Sequence, residues 1–177
     1  FDEAGALAFE SELIERDDPA VVVNESVLPS YRQETVTFQH GDNMLVGDLN
    51  LPAGPAPYPA VVIVHGSGAA SRHDWAVGGG RTIRDEFLHR GFATLVGSKS
   101  GVDESTGDYL KQTMALRAEE VAAAITHIAE REDINGDQIG LSGGSQAGWV
   151  MPMVPGHRNV AFVIAVSCPA QSGQEQD

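Results

Sequence analysis

Ser145 stands in Gly143-Gly144-Ser145-Gln146-Ala147-Gly148, directly after a short apolar run. Small residues two places to either side of a serine allow a turn too tight for bulkier side chains. Between a strand and a helix, such a turn lifts the hydroxyl clear of the backbone at the carboxyl edge of a sheet. A serine presented in this way can attack a carbonyl carbon. The N–H of Gln146, at the start of the following helix where the dipole favours negative charge, would donate to the oxyanion that forms. About eighty residues earlier, Val61-Val62-Ile63-Val64 runs into His65-Gly66-Ser67-Gly68. This is a second strand closing in a glycine-rich turn whose backbone N–H groups can bind an oxyanion. Together the two segments read as the parts of a serine hydrolase.

The elements that must position them follow from the hydrophobic pattern. Glu34 to Gln39 and Met44 to Leu51 alternate with the period of a strand, and His40-Gly41-Asp42-Asn43 between them carries turn chemistry, which predicts a β-hairpin. Pro52 to Pro59 reads as a loop. Continuous β-branched runs then alternate with helical stretches: Val61–Val64, Phe92–Val96, Gln138–Leu141 and Val160–Val166. Strands apolar on both faces, alternating with helices, predict a mostly parallel sheet covered on both sides. The helix expected from about Met114 to Glu130 has Ala118, Val121, Ala122, Ile125 and Ile128 on one stripe, with Glu119, Glu120, His127 and Glu130 facing away. Asn135-Gly136 closes the loop after it. A second helix is expected over Thr82 to Arg90, ended by Gly91, and a third over Gln146 to Val154.

Composition narrows the function classes. The chain has 177 residues and a formal charge of −14, which argues against nucleic acid or an anionic membrane as partner. Lys99 and Lys111 are the only lysines; an acidic, lysine-poor surface fits life in high salt and fits many ordinary acidic proteins. Cys168 is the only cysteine, leaving no internal disulfide and no cysteine-based zinc cluster. No apolar run is long enough to cross a bilayer and no secretory signal opens the chain. The chain starts at Phe1, as expected of a processed protein, a fragment or a trimmed chain, and the compartment stays open. Residues 1–30 read as an acidic tail or linker with a short helix over Ala4 to Ile14, and residues 31–177 as the domain. Asn24-Glu25-Ser26 fits the short N-glycosylation pattern.

The chain resembles the α/β-hydrolase superfamily over roughly residues 34 to 170. The resemblance rests on His65-Gly66-Ser67-Gly68, Ser105-Thr106-Gly107-Asp108 and Gly140-Leu141-Ser142-Gly143-Gly144-Ser145-Gln146-Ala147-Gly148-Trp149. It is most similar to the branch of dienelactone hydrolases and prolyl-oligopeptidase-like peptidases and esterases. The resemblance implies the N-terminal part of an α/β-hydrolase core: an antiparallel hairpin, the oxyanion strand, a crossover strand, the nucleophile strand and one strand more. It implies Ser145 as nucleophile, the N–H groups of Ser67 and Gln146 as the oxyanion hole, a structural His65, and no cofactor or metal.

Two departures accompany it. Relatives often carry an Asp-Lys-Arg-Gly type segment where this chain has Ser98-Lys99-Ser100-Gly101, so local ion pairs are expected to be absent there. In this superfamily the acid and histidine of the triad follow the nucleophile. Past Ser145 this chain has His157 as its histidine and, as acids, Glu175 and the terminal Asp177. A helix of ten residues is about 15 Å long, which would carry His157 to the far edge of the sheet. His73 follows the oxyanion turn on the correct edge and is the candidate substrate-contact or loop histidine. His40, His89 and His127 are expected to be solvated. Asp133-Ile134-Asn135-Gly136-Asp137 has a passing look of a calcium loop, but its glycine is misplaced, Gly144 stands where the closing Glu belongs, and a helix-to-strand connection explains it better; the Gly78-Gly79-Gly80 run reads as a loop without a phosphate-binding lysine.

Two functional readings stay open. One is a hydrolase of an ester, thioester or amide acting on a small-molecule or peptide acyl substrate, with the triad acid and histidine missing from this chain, as if truncated after the strand following the nucleophile. The other is a catalytically inactive, truncated or degenerate hydrolase that serves as a binding or interaction module. In either case strand Val160–Val166 would be an exposed apolar edge, open to self-association or to a missing C-terminal part.

Overall fold

The computed structural model describes residues 30–76, 78–156 and 160–169. The expected N-terminal tail and helix, the glycosylation pattern, His157 and Asp177 lie outside the described residues.

The hairpin forms as the alternation predicts, with β1 (Tyr31–His40) antiparallel to β2 (Asn43–Pro52) in an unbroken register. Both strands run a few residues beyond their apolar stretches, because each ladder pair adds backbone bonds regardless of side chain. β3 (Tyr58–Val64), β4 (Ala93–Gly97), β5 (Ile134–Gly144) and β6 (Val163–Val166) complete one six-stranded sheet in the order β1-β2-β4-β3-β5-β6. β2 meets β4 antiparallel, and β4, β3, β5 and β6 are mutually parallel. Asn135-Gly136 is not a loop: it lies inside β5, where the pairing with β3 shifts register between Tyr58 and Ala60. A glycine there follows from crowding, since a Cβ on Gly136 would stand 3.3 Å from the Ala129 carbonyl oxygen.

The period of two along β3 divides its side chains between the sheet's faces. Ala60, Val62 and Val64 join the larger core beneath α2 (Met114–Ala129), together with Leu95, Ile125, Ile128 and Leu141, while Val61 and Ile63 join Val96 in a smaller core flanked by Trp75, Phe87, Phe92 and Phe162. Each of these large apolar side chains contributes about 1.5–3 kcal/mol by leaving water. α2 starts where Thr113 Oγ1 accepts from the Leu116 N–H at 3.1 Å, a side-chain cap that replaces a missing intrahelical acceptor.

α1 (Gly78–His89) begins four residues before the apolar pattern, so Gly78-Gly79-Gly80 forms its first turn rather than a loop. First-turn amides need no intrahelical acceptor, which lowers the cost of glycine there. At Gly80 a side chain would also meet Trp75 at 3.2 Å.

α3 is shorter than the apolar run suggests. It makes one turn of α-helix, Ala147–Val150, then tightens into a 3-10 segment over Met151–Gly156, where Pro152 and Pro155 lack the N–H that an α-helix would use. β6 lies at the sheet's edge, with Val163, Ile164 and Val166 40–49% exposed. No described helix is long and apolar enough to cross a membrane.

The crossovers create a crevice at one edge of the sheet. From β3 the chain leaves through α1 toward β4; from β5 it leaves through α3 toward β6. The carboxyl ends of neighbouring β3 and β5 therefore open away from each other, and that switch point is where open α/β sheets bind ligands.

Candidate active site

Ser145 sits at this switch point. β5 ends at Gly144 and α3 opens at Ala147, so Ser145 occupies the corner with φ +54°. A non-glycine residue held in the left-handed region carries of order 1–3 kcal/mol of strain, tolerated when its surroundings fix it. Those surroundings consist of contacts too close for side chains. A Cβ on Gly143 would stand 2.6 Å from both the Val64 carbonyl oxygen and Ala147 Cβ. One on Gly148 would stand 2.5 Å from Cys168 Cβ, which gives the lone cysteine a packing role. The Ser145 amide donates to the Val166 carbonyl at 3.3 Å. The Ser145 side chain is exposed and its hydroxyl makes no hydrogen bond to a described residue.

The glycine turn after β3 faces it. A Cβ on Gly66 would lie 3.5 Å from Ser145 Cβ and 4.0 Å from Ser145 Oγ, so the backbone of the turn passes directly beside the hydroxyl. Ser67 is exposed, and neither its amide nor that of Gln146 donates to a described residue.

His65 is buried and fully engaged. Its Nε2–H donates to the Gly97 carbonyl at 2.8 Å, while Nδ1 accepts from Trp75 Nε1 at 3.3 Å. Burial lowers its pKa, and neighbouring Lys99 and Arg117 push the same way against the Gly97 bond and Asp74. A neutral ring with both nitrogens bonded holds the turn and has no free lone pair for Ser145.

Three comparisons bear on this geometry. No protein-family model matches the chain. Over 161 residues it is 27% identical to Esterase EstD of Thermotoga maritima, covering 85% of this chain and 37% of the esterase. A solved hypothetical protein from Pseudomonas aeruginosa superposes with a TM-score of 0.65 at 25% identity, over 81% of this chain and 44% of that one. An α/β serine hydrolase homologue from Coxiella burnetii superposes with a TM-score of 0.65 at 20% identity, over 79% and 65%. The chain shares the fold of the α/β hydrolases.

The chain spans less than half the length of the esterase and of the Pseudomonas protein. Its Ser105-Thr106-Gly107-Asp108 segment ties the loop after β4 to the hairpin: Ser105 Oγ accepts from the Val46 amide at 3.0 Å and Thr106 Oγ1 from the Met44 amide at 2.8 Å. In Ser98-Lys99-Ser100-Gly101, hydroxyl–carboxylate bonds stand in for ion pairs, Ser98 donating to Asp103 and Ser100 to Glu120.

His73 lies in the 3-10 turn Arg72–Trp75, exposed, with its ring beside Asp103 and Glu104, the three ligand-type atoms within 4.8 Å of one another. No sequence spacing foretells this cluster, because the fold joins segments thirty residues apart. Its carboxylates are already engaged, Asp103 by the Ser71 and Ser98 hydroxyls and Glu104 by Arg72 at 3.0 Å.

Two histidines expected in solvent are not. His40 Nε2 lies 3.2 Å from a Glu119 carboxylate oxygen, and His127 stacks on Phe38 with ring centroids 5.9 Å apart. In each case a ladder or helix neighbour supplies a partner that a one-dimensional pattern does not reveal. Glu120 does not face away either; it is partly buried and accepts from Ser100 and Gln112.

Sequence reasoning missed the two cations beneath the turn. Lys99 Nζ donates to the Gly66 carbonyl at 2.6 Å and the Gly68 carbonyl at 2.7 Å. Arg117 Nη2 donates to the His65 carbonyl and Nη1 to Gln146 Oε1, the latter at 2.7 Å. Both side chains are buried. The signal for Arg117 was available: it adjoins Ala118 on the apolar stripe of α2, where a charge needs a partner.

Proposed function

We propose that this chain supplies the nucleophile and the oxyanion site of a hydrolase cleaving an ester, thioester or amide bond through an acyl-serine intermediate. One observation carries the reading: an exposed serine hydroxyl at a left-handed corner, beside a glycine turn, with an amide N–H on each of the two turns that has no partner among the described residues. The esterase among the relatives supports it.

Ser145 Oγ attacks the carbonyl carbon and gives its proton to a base. The carbonyl π bond opens, and the N–H groups of Ser67 and Gln146 hold the resulting oxyanion. Collapse expels the leaving group, which takes a proton, and leaves the acyl-serine ester. Water, deprotonated by the same base, attacks the ester and frees the acid and Ser145. In this reading the base and the acid that orients it lie outside the described residues.

The second reading, a non-catalytic binding module, is favoured by the same hydroxyl having no base among the described residues, since an unassisted serine is a weak nucleophile. One experiment separates them. The full-length natural protein is assayed with p-nitrophenyl acetate and treated with a fluorophosphonate, beside Ser145→Ala. The hydrolase reading expects labelling at Ser145 and a loss of at least about 1000-fold in kcat/KM in the alanine variant. Turnover that survives Ser145→Ala sinks the assignment; no turnover and no labelling in the natural protein favours the binding module.

A further inference from the structure

The oxyanion turn is gripped from behind. In a planar trans peptide the C=O and the following N–H point in opposite directions. Lys99 takes the carbonyl of the Gly66–Ser67 peptide, so the Ser67 N–H is aimed away from the ammonium. The same ammonium takes the Gly68 carbonyl, one residue beyond Ser67, so it brackets that residue on both sides. Arg117 does the same for the His65–Gly66 peptide, and its other nitrogen holds the side chain of Gln146, whose amide is the second donor. A single guanidinium therefore links the two turns on which the oxyanion site depends.

We propose that Lys99 and Arg117 are positioning residues: by holding the carbonyls on the reverse side of the turn, they aim the Ser67 N–H at Ser145 and fix its separation from the Gln146 N–H. This rests on the reading of Ser145 as nucleophile. Neither cation touches the reacting atoms.

The surroundings suit the task. Both cations border a cavity of about 60 Å³ that is otherwise mostly apolar, walled by Phe38, Leu45 and Val121 among others. The charged groups facing Lys99 are Arg117 and Glu120 of α2, and the buried ring of His65 is also nearby. Burial, with Arg117 adding and Glu120 opposing, lowers the Lys99 pKa to about 8. Burial also raises Glu120, against the Ser100 bond and the charge of His40. Two cations and one carboxylate leave net positive charge behind the turn, which favours an anion in front of it. Glycine at position 66 admits the close approach to Ser145, and Lys99 then removes the freedom that glycine brings.

The test compares Lys99→Met, Lys99→Gln and Lys99→Arg in the full-length natural protein, each checked for folding by circular dichroism; Lys99→Gln keeps a donor if the methionine variant does not fold. Crystal structures of the Met and Gln variants are expected to show the Gly66–Ser67 peptide rotated from its position in the parent. With p-nitrophenyl acetate, kcat should fall about 100-fold while KM changes less than about twofold, as for a misaimed transition-state donor. The parent rate should decline as pH rises through about 8, when the ammonium loses its proton, and Lys99→Arg should recover most of kcat and abolish that decline. An unmoved Gly66–Ser67 peptide in Lys99→Met, or in Lys99→Gln where the methionine variant does not fold, overturns the proposal, whether or not the parent turns over. A rotated peptide with no parent turnover and no fluorophosphonate labelling keeps the clamp and removes the nucleophile reading instead.

Discussion

The two turns at the carboxyl edge of the sheet are held by different means. The corner around Ser145 is fixed by contact: remove Cβ at Gly143 and Gly148, bring Val64, Ala147 and Cys168 into the space, and few conformations remain. The turn around Ser67 is walled on one side only, where a Cβ on Gly66 would stand 3.3 Å from the Gly144 carbonyl oxygen. Gly68 has open space where its Cβ would be, and the turn keeps its shape through hydrogen bonds from Lys99 and Arg117 to its carbonyls. Contact resists deformation steeply and costs stability when violated. Hydrogen bonds at a partly solvated turn can be replaced by water, so their loss costs aim more than it costs stability.

Substitutions in the two turns should therefore fail in different ways. Gly143→Ala should have the largest effect on stability, about 3 kcal/mol in a urea melt, because backbone oxygen and a fixed methyl block its side chain. Lys99→Met should lose less than about 1 kcal/mol in the same melt; a loss as large as that of Gly143→Ala would erase the distinction. Ser145→Gly should be more stable than Ser145→Ala by about 1 kcal/mol, since glycine adopts φ +54° without strain. Equal stability would mean that the corner is unstrained.

The smallest effect concerns pH. The folded chain releases the Lys99 proton near pH 8, whereas the unfolded chain keeps it until about 10. Across that window the unfolded state binds more protons, so the stability of the parent relative to Lys99→Met should rise with pH. Urea melts at either end of the window check the sign.

The same difference decides what the sequence could reveal. A corner built by missing side chains is written in adjacent residues, so Gly143 to Gly148 is legible as a string. The sheet is legible too, because β-branched runs such as Val61–Val64 carry their own periodicity. The clamp is assembled from Lys99 after β4 and Arg117 on α2, whose distances in the chain from Ser67 bear no pattern. The helix limits failed for a related reason: α1 extends over three glycines, the last of which, Gly80, lies against Trp75, a tertiary contact that local preference does not show.

The chain has two tryptophans, and both stand near the site. Trp75 donates to His65 beneath the turn around Ser67, and Trp149 stands four residues after the serine corner, in α3. The indole emission of this domain therefore originates beside the two turns and not in the hairpin or the outer strands. Fluorescence reports the edge of the sheet where the site lies, while far-ultraviolet dichroism reports the helices and sheet as a whole. If that edge opens before the rest unfolds, the two signals separate along a denaturant gradient, and the chain measures the local stability of its own site without an added label.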